Sequence, residues 1–359
     1  MSSQHHNEKD PIKAVLRTVL CGLLLLFCVA PQAQAGPGGS DKVKGWCGVY
    51  FTAPGQGARS LPRNPQTALI RLFDGARSSV FGAFYSISSP EVTAALLRAK
   101  GRGVDVRIVT ETDNMGTPQI AMLRKGGITV AHDRRRGLMH HKFAVIDGET
   151  VWTGSYNITP NGALRNNNNA IEINSPELAE IFSAEFREMH RDGVFGNSAE
   201  PGVFSGLTSK YYVKIQDTPV NVYFSPEDSI ERILLKRLRK AKACVRFMAY
   251  SFTSAPLAEE LIRLHKKGLS VSGIFEKAGA NAKYSQYIKM KLEGIPVYLD
   301  TNPASMHHKV MIIDDEILVT GSYNFSKGAD RKNDENILII ADRDIAGRYI
   351  EEFERLKPR

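Results

Sequence analysis

No apolar run in the chain reaches the ~20 residues that a membrane-spanning helix needs; the strongest, Val19–Ala30, has 12. Lys13 and Arg17 precede that run and Ala33-Gln34-Ala35 follows it. This is the order of a secretory signal peptide, residues 1–35, with an uncleaved anchor as the alternative. Cysteine is scarce too: of four, Cys21 and Cys28 fall in the leader. Cys47 and Cys244 remain, and they either pair in an oxidising compartment or stay single, Cys244 as a buried strand residue. No Cys/His pair has zinc-like spacing, so the nine histidines do not point to a metal. Nor does a long hydrophobic surface loop stand out.

What the chain has instead is positive charge. Its formal net charge is +9 and its pI about 9.3. Removing residues 1–35 takes away Lys9, Lys13, Arg17, Glu8 and Asp10, a net +1, and leaves +8. The partner this implies is anionic, and nucleic acid and anionic phospholipid both qualify. With 359 residues, two domains of roughly 150 are expected.

The two halves carry the same order of signals. Val49–Thr52 and Val222–Ser225 read as opening strands. Ile230, Ile233, Leu234 and Leu238 recur at helical spacing behind a basic face of Arg232, Lys236, Arg237, Arg239 and Lys240. Val80–Ser86 and Val245–Ser251 read as buried strands, each leading to a helix started by Pro90 or Pro256. Strands Val104–Thr110 and Leu269–Phe275 follow. The closing helix Ile345–Leu356 mirrors Pro176–Met189. Alternating strands and helices predict an α/β chain with mixed sheets flanked by helices. The expected domains are 45–195 and 211–359, with Gly36–Lys44 a flexible lead-in and the glycine-rich Arg187–Tyr211 the link between halves.

One string occurs twice. His140-x-Lys142-x4-Asp147 is followed, after six residues, by Gly154-Ser155-x-Asn157; His307-x-Lys309-x4-Asp314 is followed likewise by Gly321-Ser322-x-Asn324. The offset is constant, 307 − 140 = 309 − 142 = 321 − 154 = 167. Alternation along a strand sends His140 and Lys142 to one side, and His141 and His308 to the opposite face as core residues. A tight turn after Asp147 or Asp314 returns Ser and Asn to the head of the strand. An imidazole, an ammonium, a hydroxyl and a carboxamide converging on one point suit a phosphate.

The duplicated string resembles the signature of the phospholipase D superfamily, over about residues 45–359. Within it, Met248–Ile340 is similar to the small bacterial endonucleases of that superfamily. The resemblance implies two α/β/α units related by a pseudo-two-fold, a single site at their interface and one self-sufficient chain. It also implies chemistry without metal or other cofactor, through a covalent phosphohistidine. One histidine attacks phosphorus, the other serves the leaving oxygen and then water. Lys142, Lys309 and the Ser155, Asn157, Ser322 and Asn324 groups hold the phosphoryl oxygens, while Asp147 and Asp314 are structural.

The family also places an orienting carboxylate at a position such as Glu335. Its counterpart is 335 − 167 = 168, an asparagine. Asn168 against Glu335 makes the site asymmetric, with Glu172 as a possible stand-in. A carboxylate raises a histidine pKa. The expectation is that His307, raised by Glu335, is the general acid and His140 the nucleophile. The implied activity is an exported, periplasmic or secreted phosphodiesterase. The lean is to nucleic acid, helped by the Arg134-Arg135-Arg136 run before His140; the alternative is phosphatidyl headgroup hydrolysis or transfer, and a third reading, a catalytically dead binding module, is disfavoured by the intact motifs.

Overall fold

Among the residues described by the computed structural model (42–55, 64–134, 137–196 and 211–358), the strands form two eight-stranded sheets. The 1–35 leader, Arg135, Arg136 and residues 197–210 of the expected link lie outside the described residues. The first sheet holds β1 (Lys42–Lys44), β2 (Cys47–Phe51), β3 (Ser79–Phe84), β4 (Asp105–Thr110), β5 (Thr129–His132), β6 (Lys142–Ile146), β7 (Thr150–Gly154) and β8 (Asn169–Asn174). The second holds β9 (Tyr212–Ile215), β10 (Thr218–Ser225), β11 (Cys244–Ala249), β12 (Ser270–Phe275), β13 (Val297–Leu299), β14 (Lys309–Ile313), β15 (Ile317–Gly321) and β16 (Glu335–Ala341).

Their orders are the same, β1-β2-β8-β7-β6-β3-β4-β5 against β9-β10-β16-β15-β14-β11-β12-β13. In both sheets only the last three strands run parallel to one another, so each is mixed. The predicted α/β class and the duplication are therefore both present. Several boundaries differ from expectation, among them that the strand expected from Val222 begins at Thr218. Lys42–Lys44 is an edge strand paired with β2 rather than part of a flexible lead-in. The helix at the end of the first half runs on to Arg191.

Local chemistry explains where the helices start. Asn64, Ser89, Thr117, Thr159, Ser175 and Ser254 each accept a hydrogen bond from the N–H three residues ahead, with proline in the first turn. The β6–β7 turn puts Asp147 and Gly148 at φ 55° and 67°, and the β14–β15 turn puts Asp314 and Asp315 both at 55°. Two positive φ values at the central residues are what a type I′ turn requires, and Glu149 N–H and Glu316 N–H close the two turns on the Ile146 and Ile313 carbonyls.

The packing has three parts. A central apolar cluster draws Val145 and Ile171 from the first sheet, Val222 and Ile312 from the second, and Phe182 and Tyr349 from the helices Pro176–Arg191 and Arg343–Leu356. Separate clusters pack Leu69, Leu96 and Leu123 on one sheet and Leu234, Leu261 and Met290 on the other. The central cluster ties the halves together. Cys47 and Cys244 are both buried and not joined in a disulfide, so the disulfide alternative is not realised.

Candidate active site

The two motif histidines stand just ahead of β6 and β14, and each is fixed by the opposite half of the molecule. The His140 N–H donates to the Asp334 carbonyl at 3.0 Å, and the His307 N–H to the Asn167 carbonyl at 2.8 Å. The offset between Asn167 and Asp334 is again 334 − 167 = 167, so one contact is made twice. Buried carboxylates hold the preceding residue. Met139 N–H donates to Glu111 at 2.7 Å and Met306 N–H to Glu276 at 2.5 Å. His140 and His307 are each only 7% exposed.

Behind the rings the symmetry breaks, and it breaks crosswise. Nδ1 of His140 lies 2.7 Å from Oε2 of Glu335. Nδ1 of His307 lies 3.0 Å from the Ser155 carbonyl and 3.0 Å from Oδ1 of Asn168. The carboxylate therefore backs His140, not His307 as its sequence position suggested. The reason is that β16 delivers its first residue, and β8 the residue just ahead of it, to the other half's histidine. Glu172 is no stand-in either: it accepts from Tyr50 and Arg71, both at 2.7 Å. A carbonyl carries no proton, so His307 donates from Nδ1 and its Nε2 is left for chemistry. With Glu335 ionised, His140 does the same.

Burial and the neighbouring Lys142 and Lys309 hold His140 well below the usual imidazole range, and His307 is lowered likewise. Both rings are thus neutral in the empty cleft near pH 7. Burial pushes Lys142 down to about 7, against the pull of Glu335 and Glu111; burial and Lys142 hold Lys309 well below its ordinary value. Burial also raises Glu335 to about 7, opposed by Lys142 and by hydrogen bonds from Ser322 and Asn333. Two buried ammonium groups with few counter-charges make a site whose electrostatics improve when an anion enters.

The supporting motif residues divide into two kinds. Ser155 Oγ accepts from Asn169 N–H and donates to Asn168, and Ser322 Oγ accepts from Asn336 N–H, so the serines brace the strands that carry Asn168 and Glu335. Asn157 and Asn324 each keep a buried side-chain oxygen with no hydrogen-bond partner among the described residues. Asp147 accepts from the amides of Arg77, Ser78 and Ser79, and Asp314 from those of Lys242, Ala243 and Cys244. Gly154 and Gly321 are obligatory: at φ 152° and 153°, a Cβ would sit 2.4 and 2.2 Å from the Asn169 and Asn336 carbonyl oxygens.

His141 and His308 are fully buried and knit the halves together. Nδ1 of His141 meets Asn336 at 3.1 Å and Nε2 meets Glu185 at 3.0 Å; the corresponding contacts of His308 are Asn169 at 2.9 Å and Glu352 at 3.0 Å. Sequence reasoning missed Glu111, Glu276, Tyr85 and Tyr250. The Tyr85 ring lies edge-on to His140 at 4.9 Å with Lys142 Nζ 4.9 Å above it; Tyr250 meets His307 at 4.5 Å and Lys309 at 4.6 Å. The repeated Tyr-Ser after β3 and β11 was the available signal. Arg134, the described member of the arginine run, is exposed beside His132 rather than among these residues.

Residues 69–190 and 234–357 match the domain family described as cardiolipin synthase, PLD-like domain. The chain is 29% identical over 134 residues to the phospholipase D of Rickettsia typhi, covering 37% of this chain and 66% of that protein. It is 37% identical over 134 residues to the mitochondrial cardiolipin hydrolase of Mus musculus, covering 36% and 61%. These matches span less than two thirds of either relative. The crystal structure of phosphatidylserine synthase from Haemophilus influenzae has a TM-score of 0.62 over 86% of this chain and 85% of its own, at 16% identity, which is a likeness of fold.

Proposed function

The chain belongs to the phospholipase D-like family, and on that premise we propose that it is a phosphodiesterase working through a phosphohistidine on His140. The observation that carries the reading is the crosswise backing of two buried imidazoles, one by a carboxylate and one by a carbonyl and a carboxamide, between two buried lysines. Nε2 of His140 attacks phosphorus while the bond to the leaving oxygen breaks, and Nε2–H of His307 gives that oxygen its proton. Binding of the anionic phosphodiester between Lys142 and Lys309 favours the protonated form of His307 that this step uses. Glu335, at Nδ1 of His140, offsets the positive charge that forms on the phosphorylated ring. Water, losing a proton to His307, then attacks phosphorus and breaks the P–N bond. Lys142, Lys309, Asn157 and Asn324 hold the non-bridging oxygens, so the charge a metal ion would offset is met by side chains.

Which histidine is the nucleophile thus stays as the sequence suggested, on a different ground. The carboxylate does not make an acid of its partner; it steadies a cation. The test uses bis(p-nitrophenyl) phosphate with EDTA throughout. Turnover is expected to persist in chelator and to vanish in His140→Ala. In His307→Ala the good leaving group still departs, and a rapid quench is expected to trap phosphate on His140. Phosphate on His307 in the parent protein overturns the assignment.

The leader features, Lys13 and Arg17, the apolar Val19–Ala30 and Ala33-Gln34-Ala35, support a site of action outside the cytoplasm. Among the described residues no helix is long and apolar enough to cross a membrane. For the natural substrate, the charge of +9 suits nucleic acid and anionic phospholipid alike. The exposed side chains Tyr284, Ile288 and Leu292 favour phospholipid.

A further inference from the structure

The two halves are one fold built twice, so each is a control for what the other needs. Past β4 and β12 both halves place a short helix, Pro118–Lys125 and Tyr287–Leu292, ending in a glycine at positive φ, Gly127 and Gly294. The bonds that close these helices match at the same offset: Ile128 N–H to Leu123 O, and Ile295 N–H to Met290 O, both 3.1 Å. At that offset Tyr284, Ile288 and Leu292 correspond to Thr117, Ala121 and Lys125. The first-half residues are small or polar. The second-half residues are large and apolar, yet 68%, 48% and 83% exposed. Packing does not require them, since the other half does without. Ile288 and Leu292, spaced by four, lie on one face of the helix, Tyr284 stands in the turn ahead of it, and the spacing of the three reads in sequence as core.

Charge distinguishes the segments as well. Lys277–Leu292 contains Lys277, Lys283, Lys289 and Lys291 and no acidic residue, a net +4, with Lys289 paired to Glu259 at 3.0 Å; its counterpart Thr110–Lys125 contains Glu111, Asp113, Arg124 and Lys125, a net of zero. Lys283 and Lys291 lie along the rings of Tyr284 and Tyr287, 5.4 and 5.7 Å from the centroids. Lysine stems over tyrosine beside an apolar stripe are the make-up of a face that lies in a lipid–water interface.

We infer that Tyr284, Ile288 and Leu292, with their flanking lysines, dock the second half of the molecule on an anionic phospholipid bilayer. The inference rests on the phosphodiesterase reading and names its substrate surface. The same segment walls a cavity of about 270 Å³ whose lining includes Ala282, Ser285, Phe252, Phe275 and Tyr250. Gln286 N–H bonds the Phe252 carbonyl at 3.0 Å, and the Tyr250 ring touches His307. A lipid drawn from the bilayer at this face enters beside the histidine that serves its leaving group.

The test transplants the first half's own residues: Tyr284→Thr, Ile288→Ala and Leu292→Lys together, in the full chain, so that the leader is common to variant and parent. Sedimentation with phosphatidylglycerol vesicles, and headgroup release from them, are expected to fall about tenfold or more. Turnover of bis(p-nitrophenyl) phosphate, which also reports correct folding, is expected to stay within about twofold, because none of the three residues lies in the catalytic cleft. Lys283→Glu with Lys291→Glu is expected to remove the preference for phosphatidylglycerol over phosphatidylcholine. Undiminished vesicle binding by the triple variant overturns the docking and leaves the phosphodiesterase reading intact. Weakened cleavage of single-stranded DNA with unchanged vesicle binding also overturns it, assigning the stripe to nucleic acid. Failure of the parent to turn over the soluble diester strikes the phosphodiesterase reading, while vesicle sedimentation still decides the docking.

Discussion

Glu335 lies 2.7 Å behind Nδ1 of His140, in the half of the molecule that does not carry that histidine, and Asn168 stands in the corresponding place behind His307. One carboxylate thus distinguishes two side chains that the duplication made alike. Glu335→Gln keeps a hydrogen-bond acceptor but removes the charge that, in the proposed mechanism, offsets the phosphorylated ring. It is expected to lower kcat by roughly a hundredfold or more, as loss of an imidazole-orienting carboxylate does elsewhere. Asn168→Ala, which removes only one of two neutral acceptors at His307, is expected to cost roughly tenfold. Stopped-flow release of p-nitrophenol from each variant checks the order; equal losses would remove the asymmetry.

A second expectation concerns pH. Burial holds Lys142 at about 7, so in the free protein its ammonium is present below that pH and lost above it. Since kcat/KM reports the free enzyme, it should fall as pH rises through 7, approaching about tenfold per unit. Lys142→Arg keeps the charge at every accessible pH, so this limb should flatten even though the misplaced guanidinium lowers the plateau. A limb unchanged in that variant would assign the titration to another group.

Tyr85 and Tyr250 give a third. Each ring packs edge-on against a site histidine and under a site lysine, so the ring rather than the hydroxyl is the working part. Tyr250→Phe should leave kcat within about twofold, while Tyr250→Ala, which frees both the imidazole and the ammonium, should lower it by roughly tenfold. Parallel loss in both variants would point to the hydroxyl.

Much of this was legible in the chain. The His140/His307 and Lys142/Lys309 pairs, the helix-starting prolines and the mixed α/β order follow from spacing and local propensity, which act over a few residues. What the chain did not disclose is contact across the pseudo-two-fold. Subtracting 167 from Glu335 finds Asn168 correctly, yet which histidine each one serves depends on how the sheets face each other. Tyr284, Ile288 and Leu292 were hidden for a related reason. Helical spacing of apolar residues looks the same whether a face meets the core or the solvent, and only the packed Tyr287 and Met290 beside them settle the direction. Glu111 and Glu276 escaped notice because their work, holding the amides of Met139 and Met306, bridges 28 and 30 residues.

The motif aspartates offer a final separation of stability from chemistry. Asp314 accepts from three successive backbone amides at 2.7–3.1 Å, and Asp147 does the same in the first half. At Asp147 burial pushes the carboxyl up, but the amides of Ser79, Ser78 and Arg77 outweigh it and hold the group below the ordinary carboxylate range. A depressed folded-state pKa means stability that is present at neutral pH and lost as pH falls through that lowered value. Asp314→Ala leaves those amides without their acceptor and should cost about 1–3 kcal/mol. In a chain of this size that is a drop in Tm of roughly 2–4 °C per kcal/mol or somewhat less. Turnover per folded molecule should be unchanged, because Asp314 pins the start of β11 and not a group of the cleft. Thermal melts at neutral pH read that cost; for Asp147→Ala, whose carboxyl is the one held low, the parent-to-variant gap should close as pH falls through that lowered value. A variant that melts with the parent but turns over more slowly would move Asp314 from the scaffold to the reaction.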